Sequence, residues 1–331
     1  LGRIRNAVEL DTAVVKQVSG EPKSVAAALD MAVADNLSTM QLQLTRQLAQ
    51  DGSGIICGFA TNAKSNKLKL ATTGTYGFGK EAMRNGWVTP GQQYDIGTLE
   101  NEVALADGIT VTAVNLDEQE PVITISGEEI ATTAGTHFLS IRNARKGKTS
   151  YEIHGFRKLA GSSELGEIDP SEEPYWKGGF QKDMEGKPIS RQLVISHRRI
   201  AKTRANGKAP DWAFTSPEQV EILSTEQFTN VRYDNPNNPD LGDGERVHIN
   251  TLKVEALEDS PVGDFTFCRK ANLFALRIDK PYWCGEKFGG SMFIIQPGST
   301  FVYGYQEYFI QLCTNKRNTV SQLLNLEDPD A

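Results

Sequence analysis

The sequence predicts an α+β protein, and three stretches carry that expectation. One helical pattern, from Ser24 to Gly54, is far longer than any other. A region rich in Thr, Val, Ile and Gly, from Asn66 to about Ile153, alternates apolar and polar residues between closely spaced turns. An aromatic-rich run, Ser299 to Cys313, reads as one long strand with aromatic residues on both faces.

In the first stretch, apolar residues fall at Val25, Leu29, Val33, Leu37, Met40, Leu44 and Leu48. Steps of three and four place them on one face of a helix. Pro22 precedes the helix and Gly52 offers a left-handed stop. At about 1.5 Å per residue the helix is a rod of roughly 40 Å. The long strand, at about 3.4 Å per residue, spans roughly 44 Å. The two match in length, so the apolar helix face is expected to pack on that strand.

The remaining elements follow in order. Leu1 to Val18 reads as strand anchored by Ile4, Val8, Leu10, Val14 and Val18, and the chain is expected to begin mid-domain. Ile55–Ala60 is a short buried strand. Asp107–Asn115 and Pro121–Ser126 form a hairpin, with Asp117–Pro121 as its turn; Lys67–Ala71, Gln93–Ile96 and His137–Ile141 are further strands. Together they suggest a small barrel or sandwich, either inserted into the main domain or forming its own sheet. Gly161–Gly179 is a polar connector. A basic helix follows Pro188, with Ile189, Leu193, His197 and Ile200 as its stripe and Asn206-Gly207 as its end. Trp212–Thr215 is a strand, and Ser216, Pro217 and Gln219 open a helix with a capping box. Tyr233–Glu245 is a loop; Val247–Val254, Cys268–Leu276 and Ser291–Ile295 are short strands. The tail after Cys313 reads as a turn and a short amphipathic element.

Composition narrows the function. The 331 residues are 39% hydrophobic and 23% charged, a globular balance with room for two or three domains. A net charge of −7 argues against wrapping nucleic acid with the whole surface. No apolar run reaches the length of a membrane span and no leader pattern opens the chain. Cys57, Cys268, Cys284 and Cys313 show no metal spacing and sit among apolar residues, so buried thiols in a reducing compartment are expected, with a bond among the last three left open.

Catalytic motifs are missing: no phosphate-binding loop, nucleophile elbow, zinc helix or dinucleotide fingerprint occurs. His137, His154, His197 and His248 are scattered, and His197 reads as a satisfied, partly buried side chain. Glu128-Glu129 and Glu172-Glu173 read as solvated turns, and the Asp234–Asp243 loop fails the calcium pattern. Asn36-Leu37-Ser38 matches a glycosylation acceptor but lies inside the helix. Arg198-Arg199 is the charge cluster of interest: it would face DNA phosphates, carboxylates of a neighbouring subunit, or solvent.

The order of these parts resembles tailed-bacteriophage major capsid proteins. Leu44-Thr45-Arg46-Gln47-Leu48 followed by Asp51-Gly52-Ser53-Gly54 is similar to the ending of the family's long spine helix, with Thr45 and Ala49-Gln50 as departures. Tyr151-Glu152-Ile153-His154-Gly155-Phe156 resembles its Glu-Ile-x-Gly step, and Pro174-Tyr175-Trp176-Lys177 its Pro-x-Trp signature. Phe214-Thr215-Ser216-Pro217 resembles a strand end before a helix. Pro281-Tyr282-Trp283, Gly289-Gly290-Ser291, Tyr303-Gly304-Tyr305, Tyr308, Asn315 and Arg317-Asn318 resemble the C-terminal block.

The resemblance implies the Hong Kong ninety-seven type capsid fold: a peripheral domain with spine helix and long β-strand, an axial domain, and here an inserted β-rich domain. On that basis residues 1–22 end an extended loop, 23–65 hold the spine helix, 66–150 are the inserted domain, 151–250 the axial domain, 251–312 return to the peripheral domain, and 313–331 are a C-terminal axial segment. It implies a non-enzymatic major capsid protein of the virion, assembled in the host bacterial cytoplasm. Its partners would be itself, in hexamers and pentamers, with portal, scaffold and cement proteins and loosely held double-stranded DNA, and no membrane. No catalytic residue, cofactor or metal is expected, and crosslinking between subunits does not transfer. A protein-loaded encapsulin-like compartment of the same fold is the alternative. A hydrolase with a dispersed carboxylate site, or a carbohydrate-binding module using Trp87, Tyr94 and Trp176, are the alternatives of other classes.

Overall fold

The computed structural model describes residues 2–11, 22–99, 105–115, 121–146, 149–230, 246–278, 280–284, 294–295 and 301–329. The Asp234–Asp243 loop, the Asp117–Pro121 turn beyond Pro121 itself, Gly289-Gly290-Ser291, Val14 and Val18 lie outside the described residues.

The long helix runs from Pro22 to Ala49 and the long strand from Phe301 to Thr314. That strand is the axis of a five-stranded antiparallel sheet. Gly2–Asp11 pairs along one edge, from Gly2 opposite Ile310 to Asp11 opposite Phe301. Leu273–Arg277, Tyr282–Trp283 and Ile294–Ile295 lie end to end along the other. Met40 joins Ile4 and Ile153 in a buried cluster, with Leu44, Leu48, Tyr308, Ile310 and Leu312 packed against it. Asn36 Nδ2 also donates to Gln306 Oε1 at 2.8 Å. Helix and strand therefore meet, as their matched lengths led us to expect.

The buried helix face differs from the expected stripe. Leu37 is 45% exposed, whereas Asn36, Gln43, Arg46, Gln47 and Gln50 are buried. The reason lies in what the helix packs on. Its C-terminal half meets irregular backbone around residues 150–155, whose amide groups need polar partners.

A six-stranded sheet follows, in the order Ile55–Gly58, His137–Ile141, Gln93–Thr98, Ala106–Val114, Val122–Ile125, Lys67–Lys69. Its two end strands meet: Phe59 bridges Leu70, Ala60 N donates to Lys69 O and Ala71 N to Gly58 O, both at 2.9 Å. The sheet thus closes on itself around Trp87, Tyr94, Ile96, Val111, Ile123 and Leu139. It takes in Ile55–Gly58, ahead of the division expected at residues 65/66. In the hairpin, Val111 pairs Ile125 but Ala113 pairs Thr124. This bulge reverses the alternation, so Ala113 is exposed rather than inward.

A second six-stranded sheet has the order Phe180–Lys187, Ser321–Leu326, Phe265–Cys268, Trp212–Thr215, Leu252–Ala256, Arg246–Ile249. The helices Arg191–Arg204 and Pro217–Asn230 pack on it through Val194, Ala201, Val220 and Leu223. Four sequence readings change here. The tail, read as a turn and a short amphipathic element, is a turn followed by an interior strand with Ser321, Gln322 and Leu323 all buried. Val247–Val254 is two strands around Asn250, whose φ of 57° makes a tight reversal. On the basic helix, Ser190 caps by accepting from Leu193 N at 3.2 Å, Val194, His197 and Ala201 face inward, and Ile200 is 42% exposed. The capping box at Ser216 does not form: Ser216 Oγ is buried without a hydrogen-bond partner, and Gln219 Nε2 instead donates to Glu327 O at 2.7 Å.

Candidate assembly surface

Two sequence landmarks converge at the end of the long helix. Arg46 is fully buried, and its guanidinium donates to Gln43 Oε1 at 3.0 Å, Gln50 Oε1 at 2.6 Å and the Glu152 carboxylate. Gln47 Oε1 accepts from Ile153 N at 3.1 Å, and Gln50 Nε2 donates to Ile56 O at 3.2 Å. The Arg-Gln pair thus fastens the Glu-Ile-x-Gly step to the helix. Gly155 completes the fit: a Cβ there would lie 2.1 Å from Gln50 O and 2.3 Å from Gln47 O, so only glycine lets the backbones approach. In the Asp-Gly-Ser-Gly turn, Asp51 Oδ1 accepts from Ser53 N at 2.9 Å, and Gly52 has φ 75°. Tyr76 OH donates to Asp51 Oδ2 at 3.3 Å; burial first, and then the Asp51 charge, push the phenol up to about 12.

Two further cations, one half-buried and one fully buried, knit the segments together. Arg157 forms a bidentate pair with Asp264, both bonds 2.8 Å, while its guanidinium carbon sits 4.4 Å from the Phe78 ring centre. Arg317, fully buried, donates only to carbonyls: Leu159 at 3.0 Å, Lys158 and Ser163 at 2.6 Å, Trp176 at 3.4 Å. It satisfies the C-terminal carbonyls of the helix Phe156–Ala160. Trp176 of the Pro-x-Trp signature donates Nε1 to Leu165 O at 2.9 Å.

The remaining candidates resolve into structural roles. His197 is buried; Nδ1 lies 2.9 Å from Leu193 O and Nε2 3.3 Å from Lys182 Nζ. Arg198 is tied to Pro210 O at 3.1 and 3.0 Å and to Thr251 Oγ1 at 2.6 Å, which leaves exposed Arg199 as the outward member of the pair. Glu128-Glu129 and Glu172-Glu173 are exposed. Asn36 is buried against the long strand and so is closed to glycosylation. Trp87 and Tyr94 are fully buried and Trp176 half-buried, which removes the aromatic groove of the carbohydrate-binding alternative. Cys57 and Cys268 are buried free thiols, whereas Cys284 and Cys313 are only half-buried. Among the described residues no group of His, Cys, Asp or Glu has the arrangement of a metal site.

What the surface presents is an apolar edge. On Leu273–Arg277 and its continuation, Phe274, Leu276 and Ile278 are 45%, 50% and 61% exposed. They alternate, so they share one face. Among the described residues this strand pairs with the long strand alone. An open strand edge carrying exposed large apolar side chains is a surface suited to a partner. Sequence alternation could have found it; what hid it was reading Cys268–Leu276 as one strand, when the 3-10 turn Lys270–Asn272 separates a buried strand from an exposed one.

No protein-family model and no curated protein matches the sequence. Among solved structures, a chain of the cyanophage A-1(L) capsid asymmetric unit superposes with a TM-score of 0.55 at 9% identity, over 99% of this chain and 78% of that one. Overlaps with the SrpI encapsulin of Synechococcus elongatus (TM-score 0.33, 10% identity, 51% of this chain and 59% of that one) and with the mature capsid of bacteriophage PhiM1 (TM-score 0.34, 10% identity, 50% and 56%) are too shallow to bear on the fold. The chain therefore has the α+β fold of a phage capsid subunit, and the resemblance read from its sequence holds at the level of fold.

Proposed function

We propose that the chain is a major capsid protein that assembles with copies of itself into an icosahedral shell of hexamers and pentamers around phage double-stranded DNA. The observation that carries this reading is the likeness to a capsid chain along 99% of the length. The exposed apolar edge at Phe274, Leu276 and Ile278 supports it, because a shell subunit must bury such a surface against neighbours. In this reading the long helix and the long-strand sheet form the peripheral domain, the sheet closed between residues 55 and 141 is the inserted domain, and the second six-stranded sheet is the axial domain. Binding geometry is the mechanism, and no chemical step is needed. Weak contacts between many identical copies add up across the lattice. A net charge of −7 suits a wall that holds packaged DNA loosely. Portal, scaffold and cement proteins are the further partners, the virion is the location, and the host bacterial cytoplasm is the place of assembly. No helix among the described residues is long and apolar enough to cross a membrane.

Negative-stain microscopy of the purified protein tests this. Icosahedral shells are expected, and a persistent monomer at high concentration overturns the reading. Nuclease-resistant DNA inside shells isolated from infected cells separates a DNA container from a protein-loaded compartment.

A further inference from the structure

A cavity of about 470 Å3 opens between the helix Arg191–Arg204 and the strand Phe180–Lys187. Lys177, Lys182 and Arg204 stand around it, Phe180 and His197 form its inner wall, and exposed Ile200 lies at its side. No carboxylate is among its lining residues. His197 Nδ1 lies 2.9 Å from Leu193 O, which can only accept, and this leaves Nε2 to accept from Lys182 Nζ at 3.3 Å. A chain of net charge −7 thus gathers three cations at one concave site with no carboxylate in its lining, Arg204 also donating Nη1 to Gly179 O at 2.9 Å.

Directly beside it, the chain builds the opposite surface. Glu164, Glu167, Asp169, Glu172 and Glu173 fall within ten residues that contain no cation, and all five are exposed. This segment is shaped rather than loose. Leu165 and Ile168 exchange backbone hydrogen bonds of 3.3 and 3.4 Å around Gly166 and Glu167, both near φ 60° (64° and 62°). Asp169 O accepts from Glu172 N at 3.1 Å and Glu173 N at 2.9 Å. Arg317 clamps both feet through Ser163 O and Trp176 O, and Trp176 Nε1 holds the turn through Leu165 O. Ile168 is exposed at the tip. Within the chain, none of these five carboxylates is ion-paired with Lys177, Lys182 or Arg204.

We infer that the basic cavity receives the acidic finger Glu164–Glu173 of a second copy. The inference rests on the shell reading and names one of its contacts. The carboxylates meet Lys177, Lys182 and Arg204, and Ile168 meets Ile200. A finger already held in shape loses little freedom on docking, and charge complementarity fixes which surfaces meet. The contact joins two different patches of one chain, the property that lets identical subunits close into rings.

Charge exchange in the full-length protein tests it. K177E/K182E and E167K/E172K/E173K alter exposed side chains, and far-UV circular dichroism confirms that each folds. Each set alone is expected to raise the protein concentration needed for assembly about tenfold at low salt. The two sets combined restore assembly to near the wild-type concentration, because the signs are exchanged and the pairing kept. Wild-type shells whose assembly is unchanged by either set, or single-set defects that the combination does not relieve, overturn the contact while the shell reading stands. A wild-type protein that never assembles overturns both. Inorganic phosphate titrated calorimetrically gives the last arm: saturable phosphate binding without charge-exchange rescue makes the cavity a small-anion site and overturns the inference.

Discussion

Arg46 and Glu152 are 106 residues apart in sequence and form an ion pair whose side chains are 0% and 2% exposed. Taking one partner away leaves the other charged in a dry site. Glu152→Ala is therefore expected to cost about 3–5 kcal/mol of unfolding free energy, and Glu152→Gln distinctly less because the hydrogen bond survives. Urea unfolding of the unassembled protein, compared by midpoint, measures both. Glu81 behaves in the opposite sense. Burial, and then the negative charges of Asp264 and Asp328, raise its carboxyl to about 7, with Arg157 opposing them. Its folded state then holds a proton that the unfolded state has released between about pH 4.5 and 7. This group's contribution to stability accordingly falls as pH rises through that window and is restored as pH drops below it. Glu81→Gln is expected to flatten the pH dependence of the melting temperature there and to raise it above pH 7. The sequence showed the Arg46-Gln47 and Asp51–Gly54 pattern plainly. It gave no sign that Glu152 is the partner, since a pair this distant exists only once the chain has folded, and it hid Glu81, an ordinary exposed-looking glutamate until Arg157 and Asp264 are placed beside it.

Elements were readable where periodicity was long. The helix Pro22–Ala49 ends just before the Asp51-Gly52 stop and the strand Phe301–Thr314 lies within two residues of its expected ends, because many repeats of one pattern outweigh any single residue. Short elements were misread for local reasons. Ser321–Leu326 buries Ser321, Gln322 and Leu323 at 0–1% exposure, an interior strand whose Ser and Gln mimic a surface pattern although Gln322 Nε2 is buried against Asp264 Oδ2 and Thr266 Oγ1. Ser216-Pro217 still opens a helix, although Gln219 reaches past it to the C-terminal segment. The edge strand Leu273–Arg277 is the element on which assembly is expected to depend. Phe274 and Leu276 contribute little to the monomer's interior, so Phe274→Asp with Leu276→Asp should leave the unfolding midpoint within about 0.5 kcal/mol of wild type. The same change places two charges in any interface formed there. Shell formation followed by light scattering is expected to fail, with the protein remaining folded and soluble; shells of normal yield would remove this strand from the assembly surface.

At the scale of the molecule, the last residues close the architecture. Ser321–Leu326 lies parallel to Phe180–Lys187 on one side and antiparallel to Phe265–Cys268 on the other. It is the strand that joins Phe180–Lys187 to the rest of its sheet. Just before it, Arg317 donates to the carbonyls of Lys158, Leu159, Ser163 and Trp176 and holds them together. A chain ending at Lys316 loses both at once. It would leave Phe180 and Met184 without Leu323 and Leu326, and the Phe156–Ala160 helix without its cap. Burial lost from several large side chains, at about 1.5–3 kcal/mol each, exceeds the total stability of an ordinary domain once the Arg317 carbonyls are left unpaired as well. Such a chain is expected to be insoluble, or to lack a cooperative thermal transition. Ending instead at Glu327 removes the four residues from Asp328 to Ala331, and the contacts of Asp328 to Lys80 at 3.4 Å and Arg84 at 4.0 Å are partly exposed pairs of about 0–1 kcal/mol. That chain should melt cooperatively within a few degrees of wild type. If the shorter chain also folded, the sheet would not need its central strand, and the topology described for these residues would be wrong.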